Sequence, residues 1–242
     1  MTLTWLPDDP LAPFPPAQRA LRSPDGLLAA GGDLSPARLL NAYAHGVFPW
    51  YSEGQPILWW SPDPRMLFRS DGVHLSRRFR RSLRGSAWQL RADTVFTEVI
   101  AACASIPRRG RVGSWITADM QAGYAELHRL GHAHSVEVFD GGALVGGLYG
   151  VAVGRMFFAE SMFSARSGGS KAALAGLARR LREWDWPLFD AQIENPHLRS
   201  LGAEAWPRSR FLAEVERLVA LPAPAGAWTQ RFGMLPAPAL AD

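Results

Sequence analysis

The chain has 242 residues, 48% of them hydrophobic, with 26 basic and 22 acidic side chains and a formal charge of +4, enough for one large domain or a small one packed on a medium one. No apolar run reaches the roughly 18 residues of a spanning helix, and the opening MTLTWLPDDPLAPFPP has prolines and acids where a secretory signal needs basic and then apolar residues, so a cytoplasmic protein is expected. Cys103 is the only cysteine, which excludes an intrachain disulfide and a thiolate metal cage.

Up to about residue 66 the chain is punctuated by Pro and Gly and reads as a small amino-terminal domain, 1–66, ahead of a larger one, 67–242. One helix is predicted there, over 35–45, where Ser35 caps, Pro36 fits the first turn and Leu39, Leu40 and Tyr43 face inward. The run from GVFPWY into LWWSPDPR sets Trp50, Trp59 and Trp60 beside turn-forming residues. Such a density suggests a binding surface; for Trp59 and Trp60, as for Trp184, core packing is the preferred reading.

Between 69 and 91 seven arginines stand against one acid, Asp71. Leu75, Phe79 and Leu83 recur every four residues, which predicts a helix docked on that stripe with Arg77, Arg80, Arg81 and Arg84 outward. Arginine forks suit phosphate oxygens, and about five neutralised phosphates would give a log–log salt slope near −4.5 on a duplex. The other reading is a merely solvated arginine face.

Helices follow over 93–104 (Val95, Phe96, Val99, Ile100, Cys103) and 118–130 (Met120, Tyr124, Leu127, Leu130), the second stopped by Gly131. Cys103 reads as a buried helix residue. Three strand-like runs, His134–Phe139, Ala143–Val153 and Met156–Phe163, form an antiparallel meander. A helix then runs from 167–170 to about 184 with Leu174, Leu177, Ala178 and Leu181 on one face, followed by the short strand LFDAQI. The Pro-Ala tail after 221 is expected to be an irregular strap.

Glu160, Asp190 and Gln192 lie inside segments that otherwise read as buried strands, where an unsatisfied polar group is costly. Asp190 and Gln192 share a face with Leu188, while Phe189, Ala191 and Ile193 point the other way; Glu160 is expected to share a face with Phe158 and Met162. The three polar groups converge near the sheet centre, as a functional constellation or as a structural hydrogen-bond network. His128, His132 and His134 straddle a helix end and a strand start without an H-E-x-x-H pattern, so structural histidines are favoured over a metal site. The chain also lacks G-x-G-x-x-G after a strand, the phosphate-binding G-x-x-x-x-G-K-[ST], and a G-x-S-x-G elbow, since Ser161 sits in AESMF. Nucleotide hydrolysis and serine esterase chemistry lose support.

Several motifs, GLLAAGGDLSPARLLNAY, GVFPWY, LWWSPDPR, SWIT, LGHAHSVEV, LVGGLYGVAVG, ESMFS, SKAAL and LFDAQ, occur in order over about residues 20 to 215. Through them the chain resembles the bacterial leucyl/phenylalanyl-tRNA–protein transferases. The resemblance implies an α+β, acetyltransferase-like (GNAT) fold: a mixed, largely antiparallel sheet flanked by helices, preceded by a small α+β domain. It implies transfer of leucine or phenylalanine, and sometimes methionine, from leucyl-tRNA or phenylalanyl-tRNA to proteins beginning with Arg or Lys, marking them for N-degron proteolysis. A monomer without cofactor or metal is implied as well.

By the same resemblance, Asp190 and Gln192 position and activate the attacking amine, and Glu160 holds the substrate's polar groups. Trp50 and Trp115 surround the terminal adenosine and aminoacyl group. Phe157 belongs to the amino-acid side-chain pocket, where Leu148, Leu177 and Leu181 stand at positions that can be methionine or phenylalanine in other members. Arg77, Arg80, Arg81 and Arg84 correspond to the basic cluster for the tRNA acceptor stem. The loop RRGRVGS at 108–114 either touches RNA or is mobile. Two competing readings are kept: an acyl-CoA N-acetyltransferase, although SARSGGSKAAL lacks the basic-x-x-glycine-x-glycine turn that pyrophosphate binding uses, and a non-catalytic tRNA-binding module.

Overall fold

The structure, a computed structural model, describes residues 3–106, 114–223 and 226–241; most of the loop at 108–114 lies outside the described residues. The first strands, β1 (Thr4–Leu6), β2 (Leu27–Gly31), β3 (Phe48–Pro49) and β4 (Leu58–Trp60), form one sheet in the order β1-β2-β4-β3. Helix α1 (Pro36–Ala44) begins where expected, with Ser35 Oγ accepting from the Arg38 N–H at 3.4 Å.

A second sheet holds β5 (Arg65–Arg69), β6 (Gln89–Ala92), β7 (Ala133–Asp140), β8 (Ala143–Val153), β9 (Met156–Ser164), β10 (Leu188–Gln192), β11 (Glu204–Trp206) and β12 (Leu235–Pro236). Their order is β11-β5-β10-β9-β8-β7-β6-β12, and every neighbouring pair is antiparallel apart from β9 with β10. The fold is therefore α+β with a mixed, largely antiparallel main sheet. Helices α3 (Phe96–Ser105), α4 (Ala118–Arg129) and α7 (Arg208–Val219) share one apolar core with α1 and the small sheet. Helices α2 (Arg77–Arg84), α5 (Gly169–Glu183) and α8 (Trp228–Phe232) contribute to a second core on the other face; α6 (Pro196–Ser200) is a short turn after β10. Among the described residues no helix is long and apolar enough to cross a membrane.

The meander lies within a residue of the expected bounds, because alternating side chains fill both cores. Helix α4 ends at Gly131, whose φ of +82° favours glycine and whose N–H donates to His128 O at 2.9 Å. Leu130, expected inward, is instead exposed, since it caps the helix rather than continuing its apolar face. Helix α3 starts at Phe96, not 93: Asp93 takes a left-handed φ of 57°, and its carboxylate accepts from the Ser135 N–H at 2.8 Å, anchoring the end of β6.

Sequence periodicity missed β5, β6 and the elements after 200. Met66, Leu67 and Phe68 are all fully buried, so β5 shows no alternation to read. The tail is not an irregular strap throughout: Trp228, Phe232 and Leu235 are buried, and β12 pairs with β6 through Leu235 and Pro236.

Candidate active site

Two local irregularities place the polar groups. On β9 the register with β8 jumps from Tyr149↔Ser161 to Gly150↔Ala159, so Glu160 is the extra residue of a β-bulge. A bulge re-aims a side chain. Glu160 stays on the Phe158 side, as alternation requires, whereas the extra residue sends Met162, expected on that same face, to the opposite core. On β10 the register with β5 shifts between Asp190 and Gln192, and Gln192 adopts a φ of 62°. That strained conformation is held by Asp190, whose Oδ1 accepts the Gln192 N–H at 2.9 Å.

The parallel ladder between β9 and β10 is only two pairs long, Phe157↔Phe189 and Phe158↔Asp190. Just beyond it the strands are joined by side chains, Gln192 Nε2 donating to Glu160 Oε1 at 2.6 Å. Glu160 Oε1 also accepts from Tyr43 Oη of α1 and Glu160 Oε2 from Tyr124 Oη of α4, both at 2.8 Å, and the two phenol oxygens stand 2.6 Å apart. Burial pushes Glu160 up to about 7, against the lowering effect of the two tyrosines. Burial first, and then the Glu160 charge, holds both tyrosines well above the usual phenol range.

Asp190 has a different environment. Arg65 at the start of β5 donates Nε to Oδ1 at 2.8 Å and Nη2 to Oδ2 at 2.6 Å, both side chains fully buried. The same guanidinium donates Nη1 to Gly46 O at 2.9 Å and lies between the rings of Phe48 and Phe211, 4.7 and 4.6 Å from their centroids. Arg65 thereby ties the small sheet and α7 to the centre of the large sheet, and Asp190 is occupied in fixing Gln192.

Asp190, Gln192 and Glu160 are thus brought together as one bonded unit. Trp50 and Trp115 border the same core; the Tyr51 Oη···Thr117 Oγ1 contact of 3.3 Å links the segments that carry them, and Trp60 Nε1 donates to Trp50 O at 2.6 Å. Leu148, Phe157, Leu177 and Leu181 lie in the other core, across the sheet, all buried. Phe157 stands in the short ladder itself, next to the point where the two faces meet.

Helix α2 begins on Ser76 and buries Leu75 and Leu83, with Arg77, Arg81 and Arg84 exposed and Arg80 half-buried. Arg84 Nη2 reaches Ala241 O at 3.4 Å; Arg77, Arg81 and Arg84 form no ion pair among the described residues.

Two of the three histidines, His128 and His134, are held in packing contacts. His134 stacks on Trp228 at 4.1 Å with Nδ1 2.7 Å from Asp93, and His128 stacks on Phe96 at 4.2 Å with Nδ1 2.8 Å from Ala133 O. Among the described residues no group of three or more His, Cys, Asp or Glu is placed to hold a metal ion. Nearby Glu137, pushed by burial to about 7, bonds Thr94 and Ser135 and pins the β7 end of this cluster.

Sequence reasoning missed Arg65, Tyr43 and Tyr124 as members of the centre. Arg65 opens a buried apolar run and so demands a carboxylate partner. The two tyrosines were placed inward by helical spacing, and a buried phenol needs a hydrogen-bond partner. Those requirements were the available signals.

A carboxyl and an amide locked at the end of a short parallel strand pair, on the core that Trp50 and Trp115 border, suit a transferase that orients an amine against an activated acyl group. Residues 67–216 match the family described as Leucyl/phenylalanyl-tRNA protein transferase, and residues 32–63 match that family's N-terminal domain. The leucyl/phenylalanyl-tRNA–protein transferase of Xanthomonas euvesicatoria pv. vesicatoria is 70% identical over 222 residues, 92% of this chain and 89% of the relative. That of Xylella fastidiosa is 63% identical over 224 residues, 93% and 92% of the two chains. Among solved structures, L-PGS from Bacillus licheniformis aligns at a TM-score of 0.41 and 10% identity over 79% of this chain and 72% of that one. The chain belongs to the leucyl/phenylalanyl-tRNA–protein transferase family.

Proposed function

We propose that the protein moves leucine or phenylalanine, and in some cases methionine, from its charged tRNA to the α-amino group of proteins that begin with Arg or Lys, committing them to N-degron proteolysis. The observation that carries the mechanism is the Arg65–Asp190–Gln192–Glu160 chain of bonds at the end of the β9–β10 ladder. An aminoacyl ester is already activated, so the enzyme's task is orientation and proton transfer. Asp190, held by Arg65, fixes the backbone of Gln192, and the Gln192 amide with Glu160 presents polar groups to the amine. An unperturbed α-amine titrates at roughly 7.7–8.0 and must shed a proton before attack.

Trp50 and Trp115 serve as stacking surfaces for the terminal adenosine, at about 1–3 kcal/mol per stacked base. Phe157, Leu148, Leu177 and Leu181 form the side-chain pocket, which takes the amino acid across the sheet between the separating strands. The one parallel pair in an otherwise antiparallel sheet supports a GNAT-type catalytic domain over 67–242. The change of sheet after Trp60 favours a small amino-terminal domain, proposed over 1–66, whose last two residues, Arg65 and Met66, already lie in β5. The enzyme would act as a monomer in the cytoplasm, where charged tRNA is found.

Arg77, Arg80, Arg81 and Arg84 supply the RNA contact, on a helix whose opposite side is docked by Leu75 and Leu83. Replacing all four by glutamine is expected to weaken tRNA binding and flatten the log–log salt slope by roughly 3. Filter binding of charged tRNA across a salt series measures both. Wild-type affinity and slope in the variant would remove α2 from the RNA surface. If wild-type protein bound tRNA but transferred nothing, a binding module would be the better reading, and acetylation by acetyl-CoA would favour the acyl-CoA enzyme.

A further inference from the structure

Tyr43 Oη, Tyr124 Oη and the two oxygens of Glu160 close a ring: phenol to phenol 2.6 Å, and each phenol to its own carboxyl oxygen 2.8 Å. Three contacts of hydrogen-bond length need three protons, one in each. The two phenols supply two, and their burial keeps those protons in place. With Glu160 ionised, both phenols pointing at the carboxylate leaves the 2.6 Å phenol–phenol contact as two facing lone pairs. Turning one phenol toward the other instead leaves a phenol oxygen facing a carboxylate oxygen with no proton between them. A third proton removes the conflict. Glu160 Oε2–H donates to Tyr124, Tyr124 donates to Tyr43, and Tyr43 donates to Oε1, which still accepts the Gln192 amide at 2.6 Å.

We propose that Glu160, Tyr43 and Tyr124 hold one shared proton, and that this neutral carboxyl is the shuttle that takes a proton from the attacking amine and delivers one to the leaving ribose oxygen. The inference rests on the transferase reading for its substrates, though not for the ring itself. In the transfer step a C–N bond forms to the aminoacyl carbonyl and the C–O bond to the ribose breaks. The amine's N–H proton passes to one carboxyl oxygen while the acid proton leaves to the ribose oxygen. Redistribution through the phenols restores the ring, so Glu160 begins and ends neutral. The groups that bear on it are Tyr43 from α1, Tyr124 from α4, Tyr149 from β8, Asp190 and Gln192 from β10 and Arg65 from β5. The charge of Asp190 raises Glu160 and that of Arg65 lowers it, both secondary to burial.

The ring can be read without substrate. Infrared difference spectra between wild type and Glu160→Gln, taken across pH, are expected to show a neutral carboxyl band that disappears with a midpoint at about 7. Tyr124→Phe removes the acceptor of the acid proton and the donor to Tyr43, two bonds of the neutral form, together with the facing lone pairs of the ionised one, and is expected to move that midpoint to lower pH. In initial-rate assays corrected for spontaneous ester hydrolysis, transfer should fall on the alkaline side at the same midpoint, and the fall should move in step in Tyr124→Phe. Glu160→Gln should lose about 100-fold or more of its rate at every pH. A tyrosine that merely packed would lower the rate without moving the limb. An ionised Glu160 throughout, or a midpoint that Tyr124→Phe leaves in place or raises, overturns the shared proton. A titrating band with no matching limb overturns the shuttle. The band with no transfer at all would instead bring down the transferase reading.

Discussion

Arg65→Ala is expected to cost the fold about 3–5 kcal/mol and to abolish transfer, because it leaves the Asp190 carboxylate buried and unpaired. The guanidinium makes two of the bonds to Asp190, reaches Gly46 O and packs between Phe48 and Phe211, so no other group can take its place. The double variant Arg65→Ala with Asp190→Asn should recover part of the stability, since no charge is then stranded. It should recover no activity, since a neutral amide no longer binds the Gln192 N–H with the strength of a carboxylate. Chemical denaturation of the two single variants and the double gives the coupling directly. A stable Arg65→Ala protein, within about 1 kcal/mol of wild type, would contradict the place assigned to this ion pair.

Gly150→Ala should be nearly as damaging from a position that touches no substrate. A Cβ there would stand 2.2 Å from Phe158 O and 2.7 Å from the Phe157 ring, so backbone rather than a flexible side chain must move. The cost is expected to be ~3 kcal/mol or more. Gly150 pairs with Ala159 beside the bulged Glu160, so forcing the strands apart would reset the bulge and withdraw the carboxyl from Gln192. Denaturation midpoints and transfer rates should fall together. A variant with wild-type stability would mean that the bulge is looser than its geometry indicates.

Much of the fold was legible where a single period dominates. The meander, α4, α5 and the arginine helix follow from alternation or from a stripe every three to four residues, and their ends follow from Gly and Ser. The elements that escaped lack such a period. Met66, Leu67 and Phe68 in β5 are buried on both faces, and β12 is two residues of a proline-rich tail.

In the site, the convergence of Glu160, Asp190 and Gln192 was readable as polar residues in buried strands, and the structure bonds them together. What could not be read was the bulge at Glu160, because an extra residue is a property of the pairing with β8 and leaves no mark in the β9 sequence alone. That bulge is also why Met162 parts company with Glu160. Arg65, Tyr43 and Tyr124 were hidden for a related reason: each sits far along the chain from its partner, donor and acceptor being 125, 117 and 36 positions apart.

The transferase activity is tested by transfer of labelled leucine from leucyl-tRNA to a protein with a free amino-terminal arginine, run beside the same protein with its amino terminus acetylated. Label is expected on the free amine, none on the acetylated control, and none on either with Arg65→Ala enzyme. Folded wild-type protein and intact leucyl-tRNA that yield no label on the free amine would contradict it.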